Sequence, residues 1–144
     1  MLLSRIPYLQ FFSPELRKEL GLPHTPYSES GEEKAHWKYF NEAAVQKVVS
    51  SSPQLADPPS HYQKPVILAP YRLYKLIAPV SKSADATQDP SIVFIGHIGV
   101  GNYFPAVECQ AMWAAAYLDG KLAVPARQAR ERKIALFTAW NRRR

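Results

Sequence analysis

The sequence predicts an α/β fragment: one strand-turn-helix unit set among further amphipathic helices and a proline-rich irregular arm. Three observations point there. The run SIVFI at 91–95 is continuously apolar and mostly β-branched, the composition of a strand buried on both faces. The glycine-rich stretch GHIGVGN at 96–102 comes directly after it and leads into a helical segment over 104–118 that Gly120 terminates, completing a βα unit. Two other stretches repeat apolar residues every three or four positions, as one buried helical face requires.

Taken in order, Ser13-Pro14-Glu15 predicts a helix over 14–20, with Ser13 as N-cap, Pro14 at the first helical position and Gly21 ending it before Pro23. A longer helix is expected over 29–51, where Trp37, Phe40, Ala44, Val45 and Val48 form the apolar face. Glu32, Lys34, Lys38, Glu42 and Lys47 occupy the other. From 50 to 70 the chain turns rich in serine and proline, and its missing amide donors predict an irregular arm. Residues 71–77 read as a short extended segment and 81–90 as a polar loop. Beyond Pro125 a last amphipathic helix runs toward Asn141, with Ile134, Phe137 and Trp140 on one stripe.

A chain of 144 residues is long enough to bury a core, and 47% hydrophobic with 21% charged residues is an ordinary globular profile. The single Cys109 excludes an internal disulfide and, without repeated Cys/His spacing, argues against a structural zinc site. A cytoplasmic location is expected, because the apolar opening is interrupted by Arg5 and Pro7. No apolar run approaches the roughly 20 residues of a transmembrane helix. The net charge of +6 is local, with Arg127, Arg130, Arg132, Lys133, Arg142, Arg143 and Arg144 crowding the C-terminus. Cations at a helix end meet its negative dipole, so a solvated helix terminus is expected there and no nucleic-acid partner.

The chemistry concentrates between Ile95 and Trp113. Its glycines let the backbone turn tightly, and the free amides opening the next helix offer donors and partial positive charge to an electron-rich group. The turn is not a dinucleotide fingerprint. Gly99 and Gly101 supply G-x-G, but the third glycine position holds Phe104, and Asp119 falls where this helix ends. Other candidates read as structural. His97 is expected to be a hydrogen-bonded bystander, Glu108 a helix-dipole partner, and Cys109 a buried inert thiol. Arg72 and Lys75, interleaved with Tyr71 and Tyr74, suggest snorkelling stems more than a nucleic-acid surface. His24, His36 and His61 show no ligand spacing, and no serine occupies a G-x-S-x-G elbow.

These segments together resemble a known family. YRLYKLIAP, DPSIVFIG, the glycine turn, FPAVECQAMWAAAYLDGKLAVP and the ending AWNRRR look like the C-terminal end of the flavin-containing (FAD-dependent) monooxygenases, especially their fungal branch. Upstream, FFSPELRKELGLP, a helix holding Trp37 and then Ser-Pro-Gln-Leu resemble the region just C-terminal to an ATG segment in such enzymes. The resemblance covers nearly the whole chain. It implies the closing strand-turn-helix of a Rossmann-type FAD domain, in an enzyme where NADPH reduces FAD and oxygen is delivered to nitrogen, sulfur or a carbonyl carbon. By motif it places Gly96, Gly101, Asn102, Tyr103 and Phe104 near the flavin, and it assigns no catalytic residue or metal.

The family's units for the FAD diphosphate and for NADPH have no counterpart in the sequence. Residues 1–144 are therefore expected to form one incomplete C-terminal region of the FAD domain, comprising a helical segment (1–52), a proline-rich arm and loop (53–90) and a closing βα unit with the C-terminal helix (91–144). Such a chain would be truncated, bind neither FAD nor NADPH tightly by itself, be inactive alone, and pair with the missing N-terminal portion or a full-length relative. The small-molecule substrate stays open. Two alternatives remain: a repurposed non-catalytic binding or scaffolding partner, and a cofactor-free isomerase or cyclase acting on a natural product.

Overall fold

A helix start needs a partner for its first amides, and the sequence supplies one at each of the first two helices. The structure, a computed structural model, describes residues 12–23, 29–57, 72–81, 92–96 and 103–143. Helix α1, Pro14–Glu19, begins where the Ser13 hydroxyl accepts from the Leu16 amide at 3.2 Å, with Pro14 in the first turn. It ends in a Schellman arrangement: Leu22 N–H donates to the Arg17 carbonyl at 2.9 Å and Gly21 N–H to that of Lys18 at 3.3 Å. Gly21 has φ +67, and a Cβ there would lie 2.3 Å from the Val80 carbonyl oxygen, so both conformation and close approach demand glycine.

Helix α2, Gly31–Ser51, opens on a reciprocal capping box. The Ser30 hydroxyl accepts from Glu33 N–H at 3.3 Å, and the Glu33 carboxylate accepts from Ser30 N–H at 2.7 Å. Pro53 starts a short 3-10 turn, Pro53–Leu55, immediately after it. The apolar stripe is as the periodicity predicts: Trp37, Phe40, Ala44 and Val48 are buried and Val45 half-buried, while Glu32, Lys34, Lys38, Glu42 and Lys47 are exposed.

Helix α3 is Tyr103–Leu118 and helix α4 is Arg127–Arg143. The core forms where α2 meets α4, joining Trp37, Phe40, Ala44 and Val48 to Ile134, Ala135 and Ala139, with Tyr74 and Val80 closing one end. The alanines leave little side-chain height between the helices, which permits close packing. The buried Thr138 hydroxyl donates to the Ile134 carbonyl at 2.9 Å, so this hydroxyl is not stranded. A second cluster gathers Leu20, Leu22, Leu73 and Phe94, with the Phe12 and Phe94 rings edge to face at 6.1 Å.

Several expectations are corrected. The α/β class is not observed: the described residues contain helices and no strand, and the segment at 92–96 carries no ladder. Among the described residues it is tied to another segment by a backbone bond from Phe94 N–H to the Ile77 carbonyl at 2.8 Å. An apolar β-branched run becomes a strand only beside another strand, and none adjoins it among the described residues. The Rossmann-type strand-turn-helix is therefore absent from the described residues.

Nor is the segment around 72–77 extended. It is a tight turn in which Tyr74 and Ala78 exchange backbone bonds at 2.7 and 3.0 Å, and Arg72, Lys75 and Leu76 take φ of 63, 51 and 66. On α4 the buried stripe is Ile134, Ala135, Thr138 and Ala139 with Arg130 and Glu131, whereas Phe137 and Trp140 face outward. The basic C-terminal end is also less solvated than expected. Arg130 is buried, and Arg143 donates to the Leu55 and Ala56 carbonyls at 2.7 and 2.9 Å. The proline-rich arm beyond residue 57, the loop at 82–90 and the turn at 97–102 lie outside the described residues.

Candidate functional site

Of the residues that the resemblance places near the flavin, Gly96, Tyr103 and Phe104 are described, whereas Gly101 and Asn102 lie outside the described residues, as does His97, expected to be a bystander. Gly96 and Tyr103 are neighbours. Gly96 takes φ +95, and a Cβ at that position would come 3.0 Å from the Tyr103 hydroxyl, so glycine leaves room for the tyrosine. The Gly96 amide is already engaged, donating to the Gln110 side-chain oxygen at 2.9 Å. Phe104 projects outward and is 80% exposed, its ring edge to face with Tyr103 at 6.1 Å.

Gln110 is the residue that sequence reasoning missed. It is the polar member of a stripe with Ala114 and Tyr117, spaced four and three residues on, and all three are buried. A polar side chain on the buried face of an apolar helix has to find a partner, and that was the available signal. Farther along the helix, Trp113 stacks on Tyr117 at 5.0 Å and meets Tyr74 at 6.2 Å, fastening α3 to the core. The helix ends at Gly120, φ +67, where Lys121 and Gly120 amides donate to the Ala116 and Tyr117 carbonyls.

Little else of α3 is covered. Tyr103, Phe104, Met112 and Leu118 are all exposed, Met112 by 74%. Cys109, expected to be buried, is exposed as well. An apolar neighbourhood in sequence does not bury a residue when its helix packs through a different face.

Two charged groups carry polar contacts in the interior. Arg72 is buried, pairs with Glu29, and lies with its guanidinium carbon 3.9 Å from the centre of the Trp37 ring. Burial and the nearby Arg142 push Arg72 down to about 9, Glu131 working the other way, and it remains charged at neutral pH. Glu131 accepts from Arg127 at 3.0 Å and pairs with His36 at 3.0 Å. The cavity beside His36 and Glu131 measures about 20 Å³, room for one water and no substrate, so this trio fastens α2 to α4. Among the described residues no group of His, Cys, Asp and Glu could hold a metal ion, and no helix is long and apolar enough to cross a membrane.

Comparison with known proteins gives a consistent set of relatives. The chain is 33% identical over 139 residues to a protein of Pyrenophora dematioidea named FAD-dependent monooxygenase, the match covering 92% of this chain and 24% of that protein. It is 33% identical over 134 residues to FAD-dependent monooxygenase resA of Aspergillus sclerotiorum, covering 93% and 23%. It is 32% identical over 138 residues to FAD-dependent monooxygenase DEP4 of Fusarium langsethiae, covering 92% and 23%. The chain thus spans about a quarter of the length of the curated relatives it matches. No protein-family model matches the sequence. No solved structure matches it.

Proposed function

The chain belongs to the family of fungal FAD-dependent monooxygenases, and on that premise we propose that it forms the part of such an enzyme that closes over the flavin, while the dinucleotide's diphosphate is held elsewhere. The observation that carries this reading is the outer face of α3. Phe104, Met112, Tyr103 and Leu118 are exposed on a helix whose buried residues are only Gln110, Ala114 and Tyr117. A helix of that composition is ordinarily buried on more than one side, and its open apolar face suits coverage by the remainder of a larger fold.

The residues fit one end of FAD and not the other. Tyr103 and Phe104 open α3, whose first amides lack intrahelical partners and suit an electron-rich ring edge. The Gly96 amide is committed to Gln110, so Gly96 serves by shaping the approach to Tyr103 and does not itself donate. Gly101 and Asn102 belong to the same proposed contact. For the diphosphate the sequence offers no G-x-G-x-x-G turn opening a helix. When bound, FAD supplies the electron transfer and oxygen chemistry, with NADPH as the reductant in this reading. The chain's own contribution is to orient the ring edge and shield it from water.

Residues 1–144 then act as one C-terminal region of the FAD domain, inactive alone and completed by an N-terminal portion that carries the diphosphate site. Titrating the purified chain with FAD, followed by flavin absorbance, tests this. Uptake weaker than about 100 µM is expected for the chain alone. Co-expression with the remaining portion of a relative should yield a yellow complex that oxidises NADPH. Tight stoichiometric FAD uptake by the chain alone would overturn the proposal.

A further inference from the structure

Away from α3, two adjoining cavities open along α4. The larger, about 400 Å³, lies between α2 and α4 and is lined by Val48, Leu136, Phe137 and Trp140, with Lys47 and Lys133 as its charged residues. The smaller, about 260 Å³, lies between α4 and the tight turn at 72–78, where Tyr74, Lys75 and Leu76 face Lys133 and Phe137. Lys133 and Phe137 line both. Both volumes are of the order that small ligands occupy, and together they run along α4 for two turns, about 10 Å from position 133 to 140 at 1.5 Å per residue.

Lysine lines both cavities: Lys133 is shared, Lys75 adds to the smaller and Lys47 to the larger. Neither cavity is lined by an acidic residue, and Lys47, Lys75 and Lys133 make no ion pair among the described residues, in contrast to Lys18 and Lys121, which pair with Glu32 and Asp119. The Lys133 ammonium lies 5.8 Å from the centre of the Tyr74 ring, which places it on the smaller cavity. Lys75 joins it there, held by a backbone that costs energy: Lys75 and Leu76 both take the left-handed conformation that non-glycine residues avoid. The larger cavity is mainly aliphatic and aromatic, and its Phe137 and Trp140 are 43% and 41% exposed.

We propose that this groove is a binding site for an amphipathic carboxylate of the fatty-acid class, its head between Lys75 and Lys133 and its tail along Leu136, Phe137 and Trp140. Charge complementarity selects an anion, and the apolar lining that continues along one face of α4 suits a hydrocarbon tail. Two lysines alone would suit any anion. The apolar lining continuing from them restricts the class.

The test uses the full chain and sodium decanoate below its micellar concentration, read by tryptophan emission, with decan-1-ol as the uncharged control. Saturable binding of decanoate is expected, at least about fivefold tighter than decan-1-ol. Lys75→Ala and Lys133→Ala should each bring decanoate toward the affinity of the alcohol, and Trp140→Phe should remove most of the signal, with circular dichroism unchanged in all three. Equal binding of acid and alcohol, or affinity indifferent to both lysine substitutions, would overturn the proposal. So would a concentration-dependent dimer in sedimentation that Trp140→Ala abolishes, since a second copy would then occupy the groove.

Discussion

The α2–α4 interface and the outer face of α3 draw on similar apolar side chains and end in opposite states. In the first, Trp37, Phe40, Ala44 and Val48 meet Ile134, Ala135 and Ala139, and polar groups at the margin are paired: Arg72 with Glu29, and Glu131 with Arg127 and His36. In the second, Phe104, Met112 and Leu118 face outward. Amphipathicity explains the contrast. The α2 sequence offers one apolar stripe and satisfies it with one partner, whereas α3 is apolar around most of its circumference and one contact with the core leaves the rest uncovered.

If that contrast is correct, substitutions on the two surfaces differ in kind. The largest effect is expected from Trp37→Ala, which empties the α2–α4 core and removes the ring under Arg72. A loss of about 3–5 kcal/mol in urea unfolding is expected, and a loss below about 1 kcal/mol would show that this interface does not dominate stability. Glu29→Gln should cost about 3 kcal/mol, because it strands a buried guanidinium. Adding Arg72→Met to Glu29→Gln should recover most of that loss, and failure to recover would locate the energy in packing against Trp37.

On α3 the expected outcome is reversed. Phe104→Ser with Met112→Gln should change unfolding free energy by less than about 0.5 kcal/mol while reducing self-association in light scattering. A large loss of stability would mean that the face is already covered. The smallest effect belongs to Glu15 in the first turn of α1. Hydrogen bonding to its own backbone amide, then to the Ser13 hydroxyl, holds its carboxyl below the ordinary value. Its contribution is present above the unfolded-state pKa and disappears as pH falls through the folded one. A carboxyl NMR titration of Glu15 should therefore show a midpoint below that of free glutamate, and Ser13→Ala should raise it.

Local signals in the sequence carried far. Ser13, Pro14 and Gly21 act in α1 as their chemistry predicts, the Trp37-to-Val48 stripe is the buried face of α2, and Gly120 stops α3. Each depends on residues within one or two helical turns. The misreadings share the opposite property. SIVFI has the composition of a strand, but a strand is a pairing and its partner is distant in sequence. Ile134, Phe137 and Trp140 do lie along one stripe of α4, yet the small residues Ala135 and Ala139 are what the alanine-bearing face of α2 accepts. For the candidate site, the resemblance supplied Gly96 and Tyr103 as candidates, whereas their proximity and the Gly96 bond to Gln110 required knowing how α3 meets the 92–96 segment and which of its faces is buried.

By itself the sequence determined where helices begin and end, which face of α2 is apolar, and the resemblance to flavin monooxygenases, because capping, periodicity and motif order are properties of neighbouring residues. Tertiary structure alone decided that Arg72 and Arg130 are buried, that Cys109 and Phe104 are exposed, and that 92–96 remains unpaired with another strand among the described residues. Burial and pairing are relations between distant segments, and their free energy depends on which surfaces meet.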